Sequence, residues 1–480
     1  MRLSPTLWLT TKTVFSQIFA LLLFAIQAPL LGPKAFGIMS IVMVFVGFCE
    51  YVPGEAAAEA LISIRRIDDE HFHTMTAVNV LLSVALGVLV FAEARRIAAW
   101  FGEPELINIL RCMSVLPTIS AFSAAPTAAT KRNMEFQPLA LRSIGSLFLG
   151  GIVGLVLTLT GAGVWALVWQ AMVTRVVASV VLWYAVPLKF GMGFSPRHFR
   201  ELLHFAVPTM ASRFMNWSCN QIPRVMLGLY WGPTDLGLFS LAARLGDILM
   251  EVALVPRYAV ARVELRKYAH DPIGLAASLQ GTLTNLTVFC FPLCVGGAAV
   301  VPTLFHVWLD PRWTGAIIPA QCMLLTCIPL VTQYMGGATL LAMNYQKSEA
   351  VVSIVQTVAT LAVVILCAPF GLLAASVAIA ARPFMLLPLS LRLLKKYCAV
   401  PASAIFAAQW PALAASLVMG AVVSLLRLWL EPWVKDIVAL PILVLVGAII
   451  YLALVRLTMP SVVAHFLNRL PGLNRLPGRS

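Results

Sequence analysis

Charge is what this sequence has least of. Only 11% of its 480 residues are Asp, Glu, Lys or Arg, against 60% hydrophobic, and the mean hydropathy is +0.90. A soluble domain carries about 25% charged residues, so most of this chain must meet lipid or other buried helices. Acid is scarcer than base: 20 Asp plus Glu stand against 34 Lys plus Arg, a formal charge of +14. No basic cluster sits on a soluble domain, so nucleic acid is not a predicted partner. The excess is the bias of loops on the cytoplasmic side of a membrane. Long alternating polar/apolar strands are missing, which removes a β-barrel and leaves helices to satisfy the backbone in lipid. The nine cysteines include loose pairs, Cys290/Cys294 and Cys322/Cys327, but neither zinc-type spacing nor a disulfide framework. They read as small buried hydrophobes, and no metal site is predicted. A glycine-rich nucleotide loop is absent, hence no ATPase in this chain. No loop exceeds about 20 residues, so there is no room for a soluble catalytic domain and no enzyme is expected.

What is there is a succession of apolar runs. A span takes about 20 residues, and the chain has room for roughly 14. They are predicted near 7–31, 37–62, 76–92, 106–129, 138–160, 164–186, 203–230, 236–258, 280–302, 317–342, 351–368, 371–391, 404–426 and 436–456. The first run is too long for a signal peptide and lacks its cleavage site, so it reads as a span. One set of loops, with the tail, holds about 20 Lys/Arg against about 6 on the other side, which makes it cytoplasmic and puts both termini inside. Residues 459–480 form a basic tail with a tandem Leu-Asn-Arg-Leu-Pro-Gly, suited to an anionic leaflet.

The chain is also duplicated. Gly32-Pro33-Lys34-Ala35-Phe36-Gly37 returns two hundred positions later as Gly232-Pro233-Thr234-Asp235-Leu236-Gly237, each copy between two apolar runs. An even number of spans per half makes the halves parallel repeats, an architecture in which transporters bind substrate between the repeats. The fold class is therefore all-α integral membrane, with about 14 transmembrane helices. Expected domains are an N-terminal six-helix lobe (1–200), a second six-helix lobe (201–400), two extra helices (401–458) and the tail.

Two stretches carry a resemblance. The Gly32-Pro33-x-x-Phe36-Gly37 loop resembles bacterial polysaccharide transporters of the multidrug/oligosaccharidyl-lipid/polysaccharide (MOP) superfamily. So does 136–170, with Phe136-Gln137-Pro138, then Gly150-Gly151 and Gly154, then Gly161 through Trp165 to Gln170. That second segment is similar to the Wzx-like flippases of exopolysaccharide and lipopolysaccharide pathways. The resemblance implies two six-helix lobes plus two C-terminal helices. It implies a bacterial inner-membrane protein that moves polyprenyl-pyrophosphate-linked oligosaccharide by alternating access, with membrane lipid, a polysaccharide polymerase and glycosyltransferases as partners. The chain departs from the family at Glu50-Tyr51-Val52-Pro53-Gly54-Glu55, where an Asp-Leu-Gly-type stretch is common. It departs again at Pro223-Arg224, where an acidic residue followed by Asn is common.

Charges inside spans come next, because each costs about 2.5–3.5 kcal/mol at a helix centre and so faces a cavity or a partner. Arg244, Asp247 and Glu251 lie within about 60° on one helix face. They read either as an internal salt bridge or as a cavity wall where Arg244 meets phosphate. Lys12 and Arg213 stand near the cytoplasmic mouth of the first span of each half. They can bind an entering pyrophosphate, or snorkel to headgroups. Arg224 and Arg382, the latter followed by Pro383, complete the pyrophosphate set, since a guanidinium fork suits phosphate. Gln17, Asn216 and Gln221 are candidates for sugar contacts. Glu50, Glu55, Asp247 and Glu251 could couple transport to Na⁺ or H⁺, or serve as counter-ions, for Glu50 to Lys12 or Arg175. No other cofactor is expected. Arg142 and Arg111 read as interfacial, Gly150 and Gly154 as a helix-packing face, and His71-Phe72-His73 as a weak metal signal. The competing classes are a cation-coupled multidrug antiporter, which favours an acid-rich cavity, and a membrane-embedded polymerase or ligase, which needs a large periplasmic loop.

Overall fold

The computed structural model describes residues 5–63, 68–133, 136–186, 193–254, 258, 261, 264–268 and 271–460. Side chains are not described for 5–12, 14, 51–60, 62–63, 136, 202–216, 218–220, 222, 252–253 and 346. The basic tail thus lies, apart from its first two residues, outside the described residues.

Among the described residues fourteen α-helices, long and short, are delimited, and no strand occurs. They are α1 (Pro5–Ser63), α2 (Asp69–Phe101), α3 (Glu105–Met113), α4 (Leu116–Phe122), α5 (Ala124–Arg132), α6 (Phe136–Leu159) and α7 (Val164–Ala185). Then come α8 (Pro196–Ala253), α9 (Pro272–Trp308), α10 (Ile317–Ala342), α11 (Gln346–Cys367), α12 (Gly371–Cys398), α13 (Ala402–Leu430) and α14 (Asp436–Thr458). Among the described residues ten stretches are long and apolar enough to cross a membrane. This is a multi-pass membrane protein.

The two longest helices each contain one break, at equivalent positions. Gly32 has φ 73° and ψ 170°, and Gly232 has φ 78° and ψ −178°. That backbone region belongs almost entirely to glycine. The following Pro33 and Pro233 bias the preceding residue toward extended ψ and suit the first turn of the next helix. The duplicated Gly-Pro is therefore one structural device used twice.

The two copies also meet. A Cβ on Gly37 would lie 1.6 Å from the Pro233 carbonyl oxygen, and one on Gly237 would lie 1.9 Å from that of Pro33. Only glycine allows backbones this close. Three residues beyond, the Ser40 and Ser240 hydroxyls hydrogen-bond at 2.9 Å.

The chain forms two compact units, Met1–Ser240 and Leu241–Ser480, divided within α8. In the first, α1 packs along α6 and α6 against α7. Glycines permit this: Gly150 and Gly154 lie against Thr174 and Gln170 of α7, and Gly151 against Phe19 and Leu23 of α1. The predicted small-residue packing face is thus present. Its polar clasp is Gln27, buried on α1, which donates to Gln170 Oε1 at 2.7 Å and to Thr158 Oγ1 at 3.4 Å. In the second unit α9 packs against α13 and α14, and α10 against α12. A continuous apolar core joins these helices, with Phe291, Val331, Met335, Leu394, Ala412 and Leu443 fully enclosed.

One predicted span, 106–129, is broken into α3, α4 and α5. Pro117 opens α4, and Ser114 and Ser123 stand at the joints. A helix broken in lipid must have its freed backbone groups satisfied by neighbours. Ser179 Oγ donates to Ile119 O at 2.9 Å, Trp183 Nε1 to Phe122 O at 2.8 Å, and Asn79 Nδ2 to Ala121 O at 3.4 Å.

Candidate functional site

The break in the 105–132 stretch gathers charge. Glu50, far along α1, accepts from Arg175 of α7 through both oxygens, Nε at 3.2 Å and Nη2 at 2.9 Å. Ser120 of α4 adds a third bond to the same carboxylate at 2.7 Å. A forked pair of this kind is among the stronger charge-assisted contacts. Arg142 of α6 donates to Thr127 of α5 at 3.1 Å and lies within electrostatic reach of both Arg175 and Glu50. Among the described residues two guanidiniums and one carboxylate thus share one region of the first unit. Arg142 is half-buried and turned to a neighbouring helix. Arg111 likewise stacks its guanidinium on Phe91 at 5.2 Å, with a buried Nε that lacks a hydrogen-bond partner.

The second unit holds Arg382 on α12. Its Nη1 donates to Thr360 of α11, while its buried Nε has no hydrogen-bond partner. Beside it runs a chain of amides: Gln356 donates to Gln333 at 3.0 Å, and Gln333 to the carbonyl of Pro383 at 2.7 Å. Gln409 and Thr332 pair on the neighbouring helices at 2.8 Å. A buried, unpaired guanidinium N–H is costly, so Arg382 is a group prepared for a further acceptor.

Other predicted residues are distributed along α1 and α8. Arg224 donates to Gln221 at 3.2 Å, which joins a predicted phosphate ligand to a predicted sugar ligand. Arg244 and Glu251 are half-buried and Asp247 is exposed. Tyr334 of α10 lies within electrostatic reach of Asp247 and edge-on to Tyr258, ring centres 6.1 Å apart. Gln17 is half-buried on α1. The side chains of Lys12, Glu55, Arg213 and Asn216 lie outside the described residues. Outside the spans, the backbone N–H and guanidinium of Arg312 hold the Asp310 carboxyl below its ordinary pKa.

Sequence reading missed the Ser120 and Thr127 contacts, which depend on how α4 and α5 turn. It also missed the Gln27–Gln170–Thr158 clasp. A signal existed for the clasp, because buried amides within apolar runs must find partners.

Residues 26–318 match the family described as "Polysaccharide biosynthesis protein". The chain belongs to this family. Among curated relatives it is 28% identical over 293 residues to the succinoglycan biosynthesis transport protein ExoT of Rhizobium meliloti, 61% of this chain and 59% of that one. The match thus spans less than two thirds of that relative's length. It is 20% identical over 345 residues to the teichuronic acid biosynthesis protein TuaB of Bacillus subtilis, 71% of each chain. It is 21% identical over 352 residues to the lipopolysaccharide biosynthesis protein WzxC of Escherichia coli, 70% of this chain and 68% of that one. Among solved structures the fold is that of the lipid II flippase MurJ in an inward closed conformation, with TM-score 0.78, 15% identity, and 94% and 99% of the two chains covered. An inward-facing MATE multidrug transporter of the MOP superfamily follows at TM-score 0.61 and 15% identity, over 81% of this chain and 94% of that one. The curated relatives are a transport protein and two biosynthesis proteins of succinoglycan, teichuronic acid and lipopolysaccharide, and the fold is shared with MurJ and a MATE transporter.

Proposed function

We propose that this protein is a flippase that carries lipid-linked oligosaccharide, on a polyprenyl-pyrophosphate carrier, across the bacterial inner membrane for exopolysaccharide or lipopolysaccharide assembly. Family membership and the transporter relatives support the class. The observation that carries the cargo is the in-membrane cation: Arg175 with Arg142 in the first unit, and Arg382 with its unpaired Nε in the second. A pyrophosphate brings at least two negative charges into a low-dielectric site, and arginine meets them with a fixed fork. A drug cation would be repelled by the same groups. The reaction is transport, with no covalent step.

The lobes would be 1–200 and 201–400, alternating access around the cargo. Lys12, Arg213, Arg224, Arg244 and Arg382 are proposed pyrophosphate ligands, to which Arg142 and Arg175 are added. Gln17, Asn216 and Gln221 would meet sugar. Helices 401–458 would guide the polyprenyl chain, and both termini would be cytoplasmic. A polysaccharide polymerase and glycosyltransferases would act on the same cargo.

The test is mass spectrometry of lipid-linked intermediates in a deletion strain, beside total surface polysaccharide. Accumulated polyprenyl-pyrophosphate oligosaccharide with lost polysaccharide supports the flippase and identifies the cargo. Unchanged lipids and polysaccharide refute it and favour the antiporter.

A further inference from the structure

The start of α2 and the start of α8 meet through four reciprocal side chains. His71 of α2 places Nε2 3.4 Å from Glu201 of α8, and His198 of α8 places Nδ1 3.3 Å from Glu70 of α2. The two imidazoles are inclined at 59°, ring centres 4.1 Å apart. His71 is buried and His198 half-buried. The approach is fixed from behind, because the Ser195 N–H donates to Thr74 Oγ1 at 3.1 Å and ties the segment before α8 to α2.

The hydrogen bonds set the tautomers. A carboxylate only accepts. The His71 nitrogen facing Glu201 therefore carries the proton, and its Nδ1 keeps a lone pair. That lone pair accepts only a long bond from the Asp68 N–H, at 3.3 Å. The same logic puts the His198 proton on Nδ1, which faces both Glu70 and Ser195 Oγ, the latter at 2.9 Å, and leaves its Nε2 basic. One ligand atom each from Asp68, His71 and His198 lies within 4.8 Å of the others.

We infer that Asp68, His71 and His198 form a binding site for a zinc-class divalent cation that clamps α2 to α8. Two imidazoles and one carboxylate, with a fourth position open, are a zinc-type donor set. Glu201 and Glu70 take the places of the outer carboxylates that orient metal-bound histidines and raise their basicity. Ligand atoms around zinc stand about 3.4 Å apart, given bonds of about 2.0–2.1 Å. From their present separation of up to 4.8 Å the three side chains would have to close in, and Asp68 would give up its capping contact with the His71 backbone N–H to do so. The cation would replace the weak Asp68 N–H contact and hold two helices whose sequences lie 130 residues apart. The site is independent of the cargo reading, since its ligand is the metal alone.

The test uses the full chain, purified in detergent through a tag without histidine. Zn²⁺ binding is followed by titration calorimetry, and Co²⁺ by its visible absorption. One ion per chain is expected, with a zinc-dependent rise in Tm. H198Q and D68N should weaken binding at least tenfold, and E70Q or E201Q about tenfold. H198Q and D68N alter the least enclosed ligands, so they carry the test if H71Q fails to fold. Metal-free Tm and gel-filtration profiles check the variants. Absence of stoichiometric binding overturns the site. So does equal binding by the original chain, H198Q and D68N.

Discussion

Gly37→Ala should open the contact between the two Gly-Pro loops. The added Cβ would sit 1.6 Å from the Pro233 oxygen and 2.5 Å from its carbonyl carbon. Both are backbone atoms in the first turn after a glycine break, so no rotamer can relieve the clash. Reaching ordinary contact requires the segments to part by roughly 2 Å, and a 2.9 Å Ser40–Ser240 bond does not survive that. Overpacking costs about 1–3 kcal/mol, and the lost hydrogen bond adds about 1 kcal/mol. At about 1.4 kcal/mol per tenfold, the closed contact should become at least about 25-fold less populated. The assay is oxidative cross-linking of S40C/S240C in native membranes, with and without G37A. Facing hydroxyls at 2.9 Å place two thiols within reach of a disulfide. The pair should cross-link readily and G37A should slow the reaction by the same factor. Equal rates in the two backgrounds, or no cross-link in either, would refute the contact.

Other outcomes can be checked in parallel. Arg175→Ala leaves Glu50 without its fork. Breaking an enclosed pair costs about 3–5 kcal/mol, to be discounted because Arg175 is 41% exposed, so a loss of about 2 kcal/mol in detergent unfolding is expected. Arg175→Lys should recover only part of it. Gly150→Ala drives a Cβ to 1.9 Å from Thr174 Oγ1 and 2.9 Å from the Gln170 carbonyl, and should lower Tm, whereas Gly145→Ala, with open space around it, should not. Arg213→Ala and Arg244→Ala should abolish polysaccharide export at normal membrane levels, and unchanged export would remove them from the site.

The helices were legible because hydropathy is a local sum, and every predicted window apart from residues outside the described set falls mainly in helix. The repeat was legible as an identical dipeptide, and its torsions explain why: the break needs a glycine and the next turn suits a proline. That the copies touch was not legible, since nothing local distinguishes a glycine used for a turn from one used for close approach. The 106–129 run hid its breaks because Leu116, Ile119 and Ala121 keep it apolar throughout, although Pro117 and Pro126 each follow a joint. Arg142 lies in the first turns of α6, and its partner Thr127 on α5 was not legible because it depends on how α5 turns. The His71–His198 pair was invisible for a related reason. Each histidine alone is an ordinary residue in the first turn of its helix, and the tertiary fold makes them neighbours.

The same geometry narrows where ion coupling can reside. Glu50 is half-buried, its side chain 13% exposed, and its two oxygens already hold Arg175 and Ser120. A Na⁺ taking that carboxylate would have to displace a forked guanidinium, at a cost of several kcal/mol for the stranded charge. The arginine would then repel the incoming cation at short range. Glu50 is thus suited to holding α1 against α7 and to setting the field around Arg142. Asp247 and Glu251 stand on one face of α8 with Arg244, and Asp247 is exposed, so an ion can reach it without breaking the Glu50 fork. If carboxylates couple transport to an ion gradient, D247N and E251Q should remove the dependence of export on that gradient and on pH. E50Q should lower protein stability and leave the dependence in place for the protein that remains. Export by D247N and E251Q that still follows the gradient would exclude the α8 carboxylates. Loss of gradient dependence in E50Q alone would show that the Arg175 fork opens during the cycle.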